Sequence, residues 1–286
     1  MDVQRAAQLA LQHRLEELGG VLDADGRADE PRSVVVRTVD DASLARALDD
    51  VRAGSGGELE APRHRRPTFQ SAYSSCALVV NVLGPWRLHP RALPLGLASG
   101  YTELRFEARR PIFDARATPP NLDVLAKTEN HVVAIESKLT EYLDGHEQAT
   151  FAERYDEVVE KLADPSWAAM YALLKRDPAA FHFLNADQLV KHYLGLKAAQ
   201  ECDARPVTLA YAYWEPADAD EHEVFETHRE EIETFRRSVD DPSVSFGSFG
   251  YRQLLEEWSG RGGFVAEHVA LLRARYDVPL GIAVGA

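Results

Sequence analysis

One stretch of this 286-residue chain constrains the rest most tightly: Pro119–Leu143, PPNLDVLAKTENHVVAIESKLTEYL. Two short runs, Leu122–Ala126 and Val132–Ile135, are rich in Val, Ile and Leu, the composition of strands. Between them lies Lys127-Thr128-Glu129-Asn130-His131, a polar turn. With the turn centred between Glu129 and Asn130, facing residue numbers sum to 259, so Asp123 stands opposite Glu136. Directly opposed residues of an antiparallel pair project from one face. Lys138, two residues beyond Glu136, projects from that face as well. Two carboxylates and an ammonium group are thereby gathered on one patch.

Such a cluster is unfavourable unless something offsets it, because facing carboxylates repel and one takes up a proton. A divalent cation removes the conflict. Mg²⁺ accepts one or two carboxylates and keeps several waters; Mn²⁺ can substitute. A metal lowers the pKa of a bound water, and Lys138 can position or activate that water or stabilise charge developing on phosphorus. This is the chemistry of phosphodiester hydrolysis. The competing reading is a surface ion-pair ladder, which contributes little to stability.

Asp123, twelve intervening residues, then Glu136-Ser137-Lys138 resembles the PD-(D/E)xK nuclease signature, and the longer string NLDVL…VVAIESKLTEYL resembles a bacterial restriction-endonuclease-like family. The residue before Asp123 is Leu122; Pro120 stands three positions before the acid. The resemblance implies an α/β fold with a mixed central sheet, the αβββαβ restriction-endonuclease-like core, and an Mg²⁺-dependent DNA endonuclease of restriction or phage-defence type. Asp123 and Glu136 would bind the metal, with the Ile135 carbonyl as a backbone ligand. Thr140, Glu141 and Tyr142 would belong to the site's rim. Some branches carry Gln-x-x-x-Tyr after the lysine. Gln188 and His192, four apart on a helix over Asp187–Leu196, resemble that motif with His in place of Tyr. The same His on a helix can equally be a surface or satisfied core residue.

Order along the chain supports the assignment. Val3–Leu18 has helical spacing, ended by Gly19-Gly20. Val34–Val36 reads as a short strand, and Asp40 or Asp41 as the cap of a helix through about Val51. Residues 53–67 are a Gly, Pro and Arg-rich loop. Residues 1–67 are thus expected to form a helical extension, and residues 68–286 the nuclease-like core with closing helices. Ser71–Leu83 is the helix that opens the core; it offers no acid to the site, only Asn81. Tyr101–Ile112 alternates as an amphipathic strand. Glu103 and Glu107 compete as a third acid, with Glu107 preferred; the alternative makes them partners of the neighbouring arginines. Trp167, Met170, Tyr171 and Leu174 form a stripe of core type. Pro206–Trp214 reads as a strand buried on both faces.

Bulk properties set limits. The net charge of −14 argues against a chain that clamps DNA unaided, since such proteins usually carry a basic face. Basic residues do cluster beside the motif: Arg105, Arg109 and Arg110, with Lys191 further on. They are the candidates for phosphate contact, Arg63–Arg66 adding a second group. DNA is the expected substrate, with a homodimer or a partner subunit compatible with the charge. Alternatives are an inactive nuclease-fold subunit, and an RNase or single-strand nuclease. Two cysteines far apart give no disulfide framework, and no apolar run is long enough to span a bilayer. With no secretory signal at the N-terminus, the chain reads as cytoplasmic.

Overall fold

The computed structural model describes residues 2–281 except 55–56, 62–64, 110–111, 113–120 and 146–147. Three helices precede the sheet: α1 (Val3–Glu17), α2 (Asp41–Ala53) and α3 (Ser75–Leu83). Each begins at a side chain that accepts orphan amides of the first turn, namely Asp2, Asp40 and Ser74. α3 starts four residues later than the expected Ser71, because the chain must first turn through Ser71–Ser74.

Val34–Val36 is not a strand. Pro31–Val34 is a 3₁₀ turn, and the Arg32 guanidinium donates to the carbonyls of Val36 and Val39 at 2.9 and 2.6 Å. A side chain that captures three β-branched residues' backbone in a turn overrides their strand preference.

Three antiparallel strands follow: β1 (Glu103–Arg109), β2 (Asn121–Lys127) and β3 (Val132–Lys138). Val124 pairs with Ile135 and Lys127 with Val132, the register expected from the turn. Thr128 ties that turn: its amide donates to the His131 carbonyl, and its hydroxyl accepts from the amides of Asn130 and His131. Next come α4 (Tyr155–Leu162), α5 (Pro165–Arg176), α6 (Ala186–Gln200), β4 (Val207–Tyr213), α7 (Glu223–Ser238), β5 (Val244–Gly250), α8 (Tyr251–Ser259) and α9 (Gly263–Tyr276). β4 lies parallel to β3, and β5 parallel to β4, giving one mixed sheet in the order β1-β2-β3-β4-β5. The helix, three strands, helix, strand order is the restriction-endonuclease-like core, extended by α7 and β5.

Helices cover both faces. On one, Val133, Ile135, Val124 and Phe106 pack with α1, α2, α3, α8 and α9. On the other, Val132, Ala134 and Leu125 pack with α4, α5, α6 and part of α7. α1 and α2 therefore share an apolar cluster with α3 and α9. The Trp167 stripe is core: its indole stacks on Tyr193 with ring centres 4.0 Å apart. Among the described residues no helix is long and apolar enough to cross a membrane.

Candidate active site

β1 and β2 change faces at one place. Leu104, Phe106, Val124 and Ala126 point into the first apolar layer, whereas Ala108 and Leu122 point into the second. The switch falls at Glu107 and Asp123, opposed in the register between Phe106–Val124 and Ala108–Leu122. Glu107 makes it with a φ of +49°, a conformation costly for any residue with a Cβ. The distorted stretch sits beside the end of β3, so Glu107, Asp123 and Glu136 come from neighbouring strands at one level of the sheet.

The side chains interlock. Asp123, half-buried, accepts a 2.6 Å hydrogen bond from the Ser137 amide. Glu136 is buried, with Oε1 accepting from Lys138 Nζ at 2.6 Å and Oε2 2.8 Å from His192 Nε2. Lys138 also donates to Gln188 Oε1 at 2.8 Å. Burial of Glu136 at 2% exposure rules out a surface ion-pair ladder. Gln188 and His192 both come from α6, whose first turn is capped by Asn185. Four residues of helix rise about 6 Å and two residues of strand about 6.6 Å, so one helical turn spans Glu136 to Lys138.

Charge explains the protonation states. Burial alone would raise Glu136, but Lys138 and His192 hold it down at about 2. Burial disfavours the Lys138 ammonium, yet Glu136 and Asp123 more than compensate and keep it charged. Asp123 is pushed well above the usual carboxylate range, first by burial and then by Glu136 and Glu107. Glu107 is pushed up to about 7 by burial, then by Glu58 and Glu136. It is held by Asn121, whose Nδ2 donates to its Oε2 at 2.8 Å, and lies against the Cys76 thiol at the start of α3.

Two expected outcomes follow from the Glu107 corner. A Cβ built on Gly54 would sit 2.6 Å from the Glu107 Cβ. Gly54→Ala should therefore cost about 1–3 kcal/mol, read as a drop in denaturation midpoint, and Gly54→Ser no less. The pH dependence has a definite sign. A carboxyl whose folded pKa lies above its unfolded value stabilises the fold most below about 4.5, and this contribution disappears as pH rises through about 7. In metal-free buffer, Glu107→Gln should flatten the fall in stability over that window.

The remaining expected residues divide. Glu103 lies at the far end of β1, opposite Lys127, and pairs with Arg105 at 2.5 Å. Glu141 turns back on its own chain, accepting from the Leu139 and Thr140 amides at 2.8 and 2.9 Å; Tyr142 is buried and donates to the Trp214 carbonyl. Of the three acids that might complete the site, Glu107 acts on Asp123 and Glu141 helps keep Lys138 charged, whereas Glu103 lies at the far end of β1. Ile135 is the last residue of β3 paired with β2, next to Glu136. Arg105 and Arg109 are exposed on β1 and, with Lys127 and Glu107, line a cleft of about 360 Å³. Arg109 donates to the Gly54 carbonyl. Lys191 pairs with Asp187 at 2.7 Å. Arg66 pairs with Asp23 and Asp29. Arg110, Arg63, His64 and Pro120 lie outside the described residues. Asn81 is spent on Val34, Val36 and Tyr276.

Sequence reasoning missed four neighbours. Tyr251 at the start of α8 holds the Ser137 hydroxyl at 2.6 Å, behind Asp123. Asn121 precedes Asp123 by two residues on the same strand, a signal that alternation could have supplied. Cys76 and Glu58 arrive from distant segments that carry no local mark.

A mixed five-stranded sheet with helices on both faces, and an acid-lysine cluster at the end of its third strand, define a restriction-endonuclease-like protein. A family described as restriction endonuclease associating with ARP matches residues 44–277, and the chain belongs to it. No match was found among curated proteins or among solved structures.

Proposed function

We propose that the chain is a Mg²⁺-dependent endonuclease of the PD-(D/E)xK type that hydrolyses DNA phosphodiester bonds. The observation that carries this reading is the convergence of Asp123, Glu136 and Lys138 with Gln188 and His192 across three elements. Asp123 and Glu136 supply the one or two carboxylates that Mg²⁺ takes, and their mutual repulsion is what a cation relieves. The Ile135 carbonyl is the backbone ligand of the proposal. Among the described residues no three His, Cys, Asp or Glu side chains gather round one point, so the fit is to a hydrated ion rather than to a protein cage. When bound, the ion acidifies a water and neutralises phosphate charge; Mn²⁺ would serve as well.

This chain's own residues do the positioning. Lys138 remains charged, so it holds a water or a phosphate oxygen and stabilises the negative charge that grows during attack. Gln188 and Glu136 fix where its ammonium group sits. His192 keeps Glu136 ionised and pointing at one place. Arg105 and Arg109, which line a cleft with Glu107, are the residues we assign to phosphate contact, and Lys191 is a further candidate once it leaves Asp187.

A second reading keeps the fold without cleavage: a subunit that binds nucleic acid or a partner protein. The −14 charge favours it, and the family's description names an association with ARP. Titration with Mg²⁺ and Mn²⁺, followed by gel assays on duplex DNA, single-stranded DNA and RNA, separates the readings. The endonuclease binds the ions and cuts duplex DNA; absence of both sinks the proposal.

A further inference from the structure

The two edges of the sheet are built differently. At β1 the Phe106 amide donates to Asp50 Oδ2 at 3.3 Å, Arg109 reaches the Gly54 carbonyl, and the strand is bent at Glu107. It also carries Glu103, Arg105, Glu107 and Arg109. Charges, a bend and side-chain caps are the means by which proteins keep a sheet edge from pairing. β5 has no charge and no bend, and its one side-chain cap among the described residues, Asp241 Oδ1 on the Val244 amide at 3.3 Å, sits at its first residue. It reads VSFGSFG, with no charge and no proline, in a chain that is 27% charged. Helices pack on its faces, and among the described residues no side chain or loop bonds the outer backbone groups of Phe246 or Ser248.

The outward groups can be named. The Val207 amide donates to the Ser243 carbonyl, and alternate residues of a parallel strand face the same neighbour. Ser245, Gly247 and Phe249 therefore bond to β4, while Val244, Phe246, Ser248 and Gly250 face away. Two of the outward groups are already satisfied. The Val244 amide donates to the Asp241 carbonyl, and Gly250 is the N-cap of α8, whose carbonyl accepts the first helical bond. Free donors remain on Phe246, Ser248 and Gly250, and free acceptors on Val244, Phe246 and Ser248.

We infer that β5 pairs antiparallel with β5 of a second copy, about a twofold axis at Gly247. Facing numbers then sum to 494, setting Val244 against Gly250 and Phe246 against Ser248. Every free donor meets a free acceptor. Sliding the register by two residues in either direction leaves donors and acceptors idle. Gly247 faces its own copy as a close pair without ladder bonds, and a Cβ there would meet nothing within 4 Å of the single chain. Asp240 precedes the strand and Arg252 follows it, so antiparallel pairing brings the acid of one copy toward the base of the other. Because the β1 edge is closed, head-to-tail growth is blocked and the product is a closed dimer.

The inference does not depend on the nuclease reading, and its test reads size rather than cutting. Sedimentation of the wild type at micromolar concentration should give twice the 31.8 kDa of one chain. Ser248→Pro, which removes an outward donor and spares the β4 ladder, should give the single mass with unchanged circular dichroism. In a Cys202→Ser background, Gly247→Cys should cross-link to a dimer on oxidation, since its partner Cα would lie about 4.5 Å away. Ser245→Cys should not. A monomeric wild type with no cross-link through residue 247 overturns the inference, whether or not the edge takes up some other strand. So does a dimer that survives Ser248→Pro and fails to cross-link there.

Discussion

Asp123→Asn should abolish ion binding and lower cleavage by at least about a hundredfold, while the metal-free protein melts at or above the wild-type temperature. The two effects have one cause. Asp123 faces Glu136 and Glu107 across the sheet, and burial with their repulsion raises its pKa. The amide removes that repulsion and retains an oxygen to accept from the Ser137 amide. On the proposed metal assignment the carboxylate is costly to the metal-free fold and useful only with a cation bound, a trade between stability and activity. Calorimetric titration with Mn²⁺, with melting in chelator, reads both quantities on one sample. A destabilised variant that still binds Mn²⁺ would sink the metal assignment.

Lys138→Ala should lower cleavage by about a hundredfold to a thousandfold and, unlike the Asp123 change, destabilise the fold. Glu136 is buried, ion-paired to Lys138 through one oxygen and hydrogen-bonded to His192 through the other. Removing one counter-charge from a buried pair costs about 3–5 kcal/mol at the upper end, moderated here because His192 remains. The Glu136→Gln, Lys138→Ala double variant should recover much of the stability and none of the activity. Double-mutant-cycle melts and a plasmid assay check this; normal cutting by Lys138→Ala refutes the lysine's role.

The centre of the site was legible in the sequence because its geometry is local. A polar five-residue turn between two apolar runs fixes a register, and the register fixes which side chains share a face. The pairing of Val124 with Ile135 is the expected one. Gln188 and His192 were singled out by their resemblance to a Gln-x-x-x-Tyr motif, and one helical turn carries both to neighbouring atoms. What was hidden depends on tertiary context. Nothing about a glutamate announces a φ of +49°, and without it Glu107 reads as one more member of an alternating strand. Three valines read as a strand until Asn81 takes the Val34 carbonyl and Arg32 those of Val36 and Val39. The arginine clusters read as a phosphate surface, but Arg66 is consumed by acids that are remote in sequence.

The matched spacing of α6 and β3 has a mechanical consequence. Gln188 meets Lys138 and His192 meets Glu136, so the two elements mesh like racks of equal pitch running in opposite directions. A slip of one residue would swing both α6 side chains by about 100° and unseat them together. Moving α6 off the sheet would thus release Glu136 and Lys138 from their helix partners together.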